Sequence, residues 1–211
     1  MKETIAKYLL EIKAVILRPE DPFIWTSGIK SPIYCDNRLT LSFPGIRKSI
    51  IAGLCEIVKT QYPEVEMLMG TATAGIPHAA IMADILDLPM GYVRSGVKKH
   101  GRENQVEGII TKGLNIVIVE DLISTGNSAI ETVKALRAHG CNVLGIASIF
   151  SYELKKGLDN LKDANVKNTS LCNYDTLLKV AIEADYIKAD VIPKLIAWRH
   201  NPIDESWMDA C

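Results

Sequence analysis

From Val65 to Phe150 short apolar runs alternate with segments of helical period, and this alternation restricts the folds open to the chain more than any other feature. The runs are VEMLMG (65–70), PMGYVR (89–94), NIVIVE (115–120) and CNVLGIASIF (141–150). Between them, residues 76–86 and 126–138 space apolar side chains three and four apart, the latter with Ala129, Ile130, Val133 and Leu136 on one face. Continuous apolar strands joined by helical crossovers predict an α/β fold, with a central parallel sheet flanked by helices on both faces. Ahead of this core, Ile5, Tyr8, Leu9, Ile12, Val15 and Ile16 recur at helical spacing until Arg18-Pro19. A second helix opens at Ser42 and Pro44 and ends near Tyr62-Pro63; residues 24–41 between them read as turns and short extended pieces. After Ser151 the pattern predicts a polar helix over LKKGLDNLKDA (154–164), a loop, and helices near 174–184 and 190–199.

At 211 residues, 48% of them hydrophobic, the chain is long enough for one sizeable core. Twenty-four Lys and Arg against 25 Asp and Glu leave a net charge of −1, so no global field draws in nucleic acid or an anionic membrane. An anion site must therefore be built locally. Cys35, Cys55, Cys141, Cys172 and Cys211 lack C-x-x-C spacing, and their odd number argues for reduced thiols and a cytoplasmic location. The charged N-terminus lacks a signal-peptide core and no stretch has the length of a membrane span, so the Asn168-Thr169-Ser170 sequon is discounted.

The stretch VEDLISTGNS (119–128) puts two carboxylates, Glu120 and Asp121, where a buried strand ends, with no basic residue among the next ten. Ligands of open parallel sheets sit beyond such strand ends. Ser124, Thr125, Gly126, Asn127 and Ser128 follow, offering consecutive N–H groups, hydroxyls and a glycine ahead of a helix whose positive dipole end faces them. This is a phosphate cradle. Carboxylates repel phosphate and accept hydrogen bonds from hydroxyls, so a sugar phosphate satisfies both halves, with ribose hydroxyls on Glu120 and Asp121 and a 5-phosphate on residues 124–128. A simple helix cap would use one such residue rather than an acidic pair with five small polar positions. Gly70-Thr71-Ala72-Thr73-Ala74-Gly75 starts like a nucleoside triphosphate loop but continues Ile76-Pro77 instead of Lys-Ser/Thr, and no G-x-G occurs.

Residues 92–108 gather Arg94, Lys98, Lys99, His100 and Arg102 with almost no apolar anchor, which predicts a surface loop whose cations await an anionic partner. It follows a sheet strand on the ligand side, so it reads as a lid. His78 and His139 lack a second ligand at metal spacing, and Trp25, Trp198 and Trp207 read as packing.

VIVEDLISTGNS is similar to the phosphoribosyl diphosphate signature of the type I phosphoribosyltransferases, E/D-D-Φ-Φ-S/T-T-G after a hydrophobic strand. Asn127 stands where many members have glycine, and asparagine tolerates left-handed backbone nearly as well. Arg94, Lys98, His100 and Gly101 resemble the R-x-x-x-K-x-H-G loop of the orotate phosphoribosyltransferases, as do SGIKSPIYCDNR (27–38) and GTATAGIPHAA (70–80), so the likeness covers most of the chain. Three lysines that some members carry are replaced here by Thr26, Ala74 and Ser95. SYELKKG (151–157) also lacks the arginine those members use on the orotate carboxylate, which leaves Arg38 or backbone N–H groups as substitutes.

The resemblance implies one domain over 1–211, with a type I core at about 44–150 under a small hood from about 1–40 and part of 151–211. It implies transfer of ribose 5-phosphate from phosphoribosyl diphosphate to N1 of orotate, in pyrimidine biosynthesis. Catalysis would rest on Lys98, Asp121 and Glu120. Phosphoribosyl diphosphate would be held by Arg94, Lys98, His100, Glu120, Asp121, Leu122, Ile123, Ser124, Thr125, Gly126, Asn127 and Ser128, and orotate by Ser124, Tyr34 and Lys30. Mg²⁺ would be the cofactor, held mainly by substrate oxygens rather than by protein ligands. The family's loop serves the neighbouring subunit, which implies a homodimer sharing its sites through residues 94–105. Two alternatives stand beside this: a phosphoribosyltransferase for another base such as adenine or xanthine, and a non-catalytic regulator that senses phosphoribosyl diphosphate while binding nucleic acid. The K-x-H-G loop speaks against the first, and the near-zero charge against the second.

Overall fold

A computed structural model describes residues 1–25, 28–94 and 105–210. The elements are α1 (Lys2–Glu11), β1 (Val15–Leu17), β2 (Phe23–Ile24), β3 (Lys30–Ser31), β4 (Ile33–Cys35), α2 (Pro44–Gln61), β5 (Met67–Thr71), α3 (Gly75–Leu86), β6 (Met90–Val93), β7 (Val106–Glu107), β8 (Asn115–Ile123), α4 (Asn127–Ala138), β9 (Asn142–Ser151), α5 (Lys155–Asp163), β10 (Asn168–Asn173), α6 (Tyr174–Glu183) and α7 (Ile192–His200). Short 3₁₀ turns lie at Asn37–Ser42, Ala189–Val191 and Glu205–Asp209.

The sheet order is β10-β9-β8-β5-β6-β7. All neighbours pair in parallel except β7, a two-residue antiparallel edge on β6 that the sequence pattern assigned to the basic loop. Alternate strand residues serve opposite faces. Leu68, Val117, Val119, Ala147 and Ile149 share a core with α1, α2, α3 and α6, whereas Met67, Met69, Ile116, Ile118 and Ile146 pack with Val133 and Leu136 of α4 and Leu161 of α5. The strand order reverses between β5 and β8, and their carboxyl ends open the crevice where α/β sheets take ligands.

Two expectations change. The first helix ends at Glu11, because Lys13 adopts φ 56° and Val15–Leu17 pair antiparallel with Ile33–Cys35. The apolar period continues past Ile12 only because β1 buries alternate side chains on the same core. Residues 168–173, read as loop, are edge strand β10.

Helix α3 starts hard against β8: a Cβ on Gly75 would lie 2.2 Å from the carbonyl oxygen of Val119. Gly75→Ala should therefore lower the thermal midpoint, a cost of about 1–3 kcal/mol for an overpacked contact. An unchanged melting curve by circular dichroism would contradict this close packing.

Candidate active site

β8 runs four residues beyond the last Cα partner it has in β5, Val119, and carries Glu120 and Asp121 to the rim of the crevice. Glu120 is 5% exposed and its Oε1 accepts the N–H of Asp121 at 3.0 Å. Burial, and then the charge of Asp121, push the Glu120 carboxyl well above the ordinary carboxylate range. Burial raises Asp121 as well. Neither carboxylate makes an ion pair among the described residues. Two acidic groups, Glu120 buried and Asp121 half-buried, are thus held without a cationic partner among the described residues, a state that becomes favourable when hydroxyl donors or a cation arrive.

The segment before α2 is tied to this strand end. Buried Asn37 donates through Nδ2 to the carbonyl of Asp121 at 2.7 Å. Beside it, Arg38 grips Asp36 through Nε–Oδ1 at 2.6 Å and Nη2–Oδ2 at 2.8 Å, which holds Asp36 below the usual carboxylate range.

After β8, residues 122–129 wrap a cup of about 60 Å³. Gly126 takes φ 75° and caps α4, whose first turn faces the cup with its unpaired N–H groups. Asn127 is the first helical residue; the left-handed position belongs to Gly126, so the tolerance expected of asparagine is not called upon. On the other side of the crevice the 72–74 segment links β5 to α3, and its Ala72 N–H donates to Val93 at 2.9 Å.

Arg94 directly follows β6, which leads to the basic segment. Its N–H donates to the Gln105 carbonyl at 2.8 Å, Gln105 Nε2 returns a bond to the Arg94 carbonyl at 3.0 Å, and its guanidinium pairs with Glu107. Lys98 and His100, like Thr26 and Ser95, lie outside the described residues. Tyr34 is half-exposed against Phe23, ring centroids 5.5 Å apart, and Lys30 pairs with Glu205 at 2.8 Å.

A crevice of about 390 Å³ adjoins the 122–129 loop, between Trp25 and Ile29, Thr125, and Lys155 and Lys156 at the start of α5. Lys30, Tyr34 and Ser124 do not line it. The proximity of these two lysines to Thr125 has no local signature in the sequence.

Residues 45–183 match the family model described as phosphoribosyl transferase domain. Over 210 residues and the full length of both chains, this chain is 58% identical to the orotate phosphoribosyltransferases of Bacillus cereus (strain G9842) and Bacillus cytotoxicus. The crystal structure of orotate phosphoribosyltransferase from Aeropyrum pernix is 29% identical with a TM-score of 0.76, covering 87% of this chain and 99% of that one. Leishmania donovani UMP synthase, at 24% identity and a TM-score of 0.79 over 93% of this chain and 42% of its own, shares the fold. An N–H cup beside two unpaired carboxylates at the sheet's reversal point, and likeness along the whole chain, lead to one conclusion: this chain belongs to the phosphoribosyltransferase family, among the orotate phosphoribosyltransferases.

Proposed function

We propose that the chain transfers ribose 5-phosphate from phosphoribosyl diphosphate to N1 of orotate, releasing diphosphate and orotidine 5′-monophosphate. The observation that carries this reading is the 58% identity over the full length to proteins bearing that name. The 5-phosphate sits in the 122–129 cup on the N–H groups of residues 124–128, with Leu122 and Ile123 forming its floor, and the ribose hydroxyls rest on Glu120 and Asp121. As the C1–O bond breaks, positive charge on the ring is favoured by these carboxylates. Negative charge on the departing diphosphate is met by Lys98, with Arg94 and His100. The carboxylate pair offers hard oxygen donors of the kind Mg²⁺ accepts, and the ion, held chiefly through substrate oxygens, would neutralise the diphosphate. The unit is one domain over 1–211, core at about 44–150 and hood at about 1–40 with part of 151–211, working as a homodimer whose 94–105 segments serve neighbouring sites.

Four described cysteines are free thiols, which supports a cytoplasmic enzyme of pyrimidine biosynthesis. No described helix is long and apolar enough to cross a membrane.

The base lies under the hood, near Ser124, Tyr34 and Lys30, with its carboxylate directed into the crevice beside α5. There Lys155 is tied to Asp159, whereas Lys156 makes no ion pair among the described residues. Lys156→Ala should raise the KM for orotate about tenfold, near 1.4 kcal/mol of lost charge pairing, and leave that for phosphoribosyl diphosphate unchanged. Equal KM values for both substrates in wild type and variant would exclude this contact.

Loss of orotate absorbance on adding phosphoribosyl diphosphate and Mg²⁺ tests the whole reading. Turnover of orotate that adenine and xanthine neither replace nor suppress is the expected result. Consumption of another base instead, or none of any base, would refute it.

A further inference from the structure

The phosphate loop does not hold its own shape. Helix α5 lies behind it, and two successive carbonyl groups of the loop are turned toward that helix. The Thr125 carbonyl accepts from Asn160 Nδ2 at 2.9 Å. The Ser124 carbonyl approaches Gly157 so closely that a Cβ there would lie 2.2 Å from the oxygen. Leu161, one turn further along α5, closes on Gly126 at 3.4 Å from where its Cβ would be. In a trans peptide the carbonyl and the following N–H point in opposite directions. Turning the carbonyls of Ser124 and Thr125 onto α5 therefore aims the N–H groups of Thr125 and Gly126 away from it, toward the cup. Neither N–H donates to another described residue.

We infer that Asn160 is a positioning residue for the sugar phosphate: its amide, together with the gap left by Gly157, orients two backbone donors for the 5-phosphate from behind the 122–129 cup. This rests on the proposed phosphoribosyl site and adds to it a residue 35 positions away in sequence from the peptide that it holds. Asn160 also lies 3.4 Å from Asn127 Oδ1, so its amide spans the loop and the first helical residue of α4.

Binding of ribose 5-phosphate, followed by titration calorimetry on wild type, Asn160→Ala and Asn160→Asp, tests the inference alongside steady-state kinetics. Losing one neutral hydrogen bond should weaken ribose 5-phosphate about three- to tenfold in both variants. The KM for phosphoribosyl diphosphate should rise in parallel, while the thermal midpoint stays near wild type. Gly157→Ala should weaken the sugar phosphate further, because its methyl group displaces the Ser124 carbonyl directly. Wild-type affinity in Asn160→Ala overturns the inference even if Asn160→Asp binds weakly, since charge repulsion alone then explains the latter. So does a loss of affinity for both substrates that tracks a falling thermal midpoint. If wild type binds no ribose 5-phosphate, the proposed site fails and the inference with it; if wild type and both variants bind it equally, the inference alone fails.

Discussion

Replacing Lys98 with alanine should lower turnover by about 10²–10³, the usual cost of deleting one donor aimed at charge that develops in a transition state. The reason lies in the charge around the site. The strand end presents Glu120 and Asp121, Asp36 stands near Asp121, and the neighbouring Arg38 is already committed to Asp36. Arg94 is drawn to Glu107. A departing diphosphate thus meets an acidic rim unless cations come from residues 95–104, and Lys98 is the one that the motif places at its centre. The effect should fall on kcat, because the lysine is needed most where negative charge is greatest. Mixing Lys98→Ala with Asp121→Asn should restore about a quarter of wild-type activity if each loop serves its neighbour, since half the dimers are then mixed and each mixed dimer has one intact site. Wild-type turnover in Lys98→Ala would remove the loop from the mechanism.

Glu120→Gln should reduce kcat/KM about ten- to a hundredfold, from the loss of a charged acceptor for a ribose hydroxyl, yet make the free protein more stable at pH 8. The sign follows from burial. The folded carboxyl binds its proton more tightly than the unfolded one, whose ordinary value is 4.5. Between that value and the raised one the folded state holds more protons, so stability falls as pH rises through this window. Glutamine carries no charge to bury, so its advantage is full above the window and vanishes toward pH 4.5. Thermal midpoints of both proteins across that range measure it. A variant less stable than wild type at pH 8 would mean that Glu120 is compensated by a partner, contrary to its burial without an ion pair.

The part of the site on β8 and α4 was legible because local chemistry writes it: a β-branched run, an acidic pair, a glycine turn and a helical period, each set by near neighbours in sequence. What was missed depends on distant partners. Strand β10 opens with Asn168, Thr169 and Ser170, a loop composition, and two of these side chains find their partner across the sheet, Ser148 Oγ meeting Asn168 Oδ1 at 2.9 Å and Ser170 Oγ at 2.7 Å. The helical period of the first segment ran into β1 because residues of a short strand can fall on the same apolar phase. Lys156, Gly157 and Asn160 look like an ordinary polar helix until α5 is seen against the phosphate loop. No sequence pattern announces the pairing of the Arg94 guanidinium with Glu107.

The most direct test is a crystal structure with orotidine 5′-monophosphate bound. The phosphate should fill the cup on the N–H groups of residues 124–128, and the ribose hydroxyls should lie about 2.6–3.0 Å from the carboxylates of Glu120 and Asp121. A nucleotide bound elsewhere, with the cup vacant and both carboxylates facing away from the sugar, would contradict it.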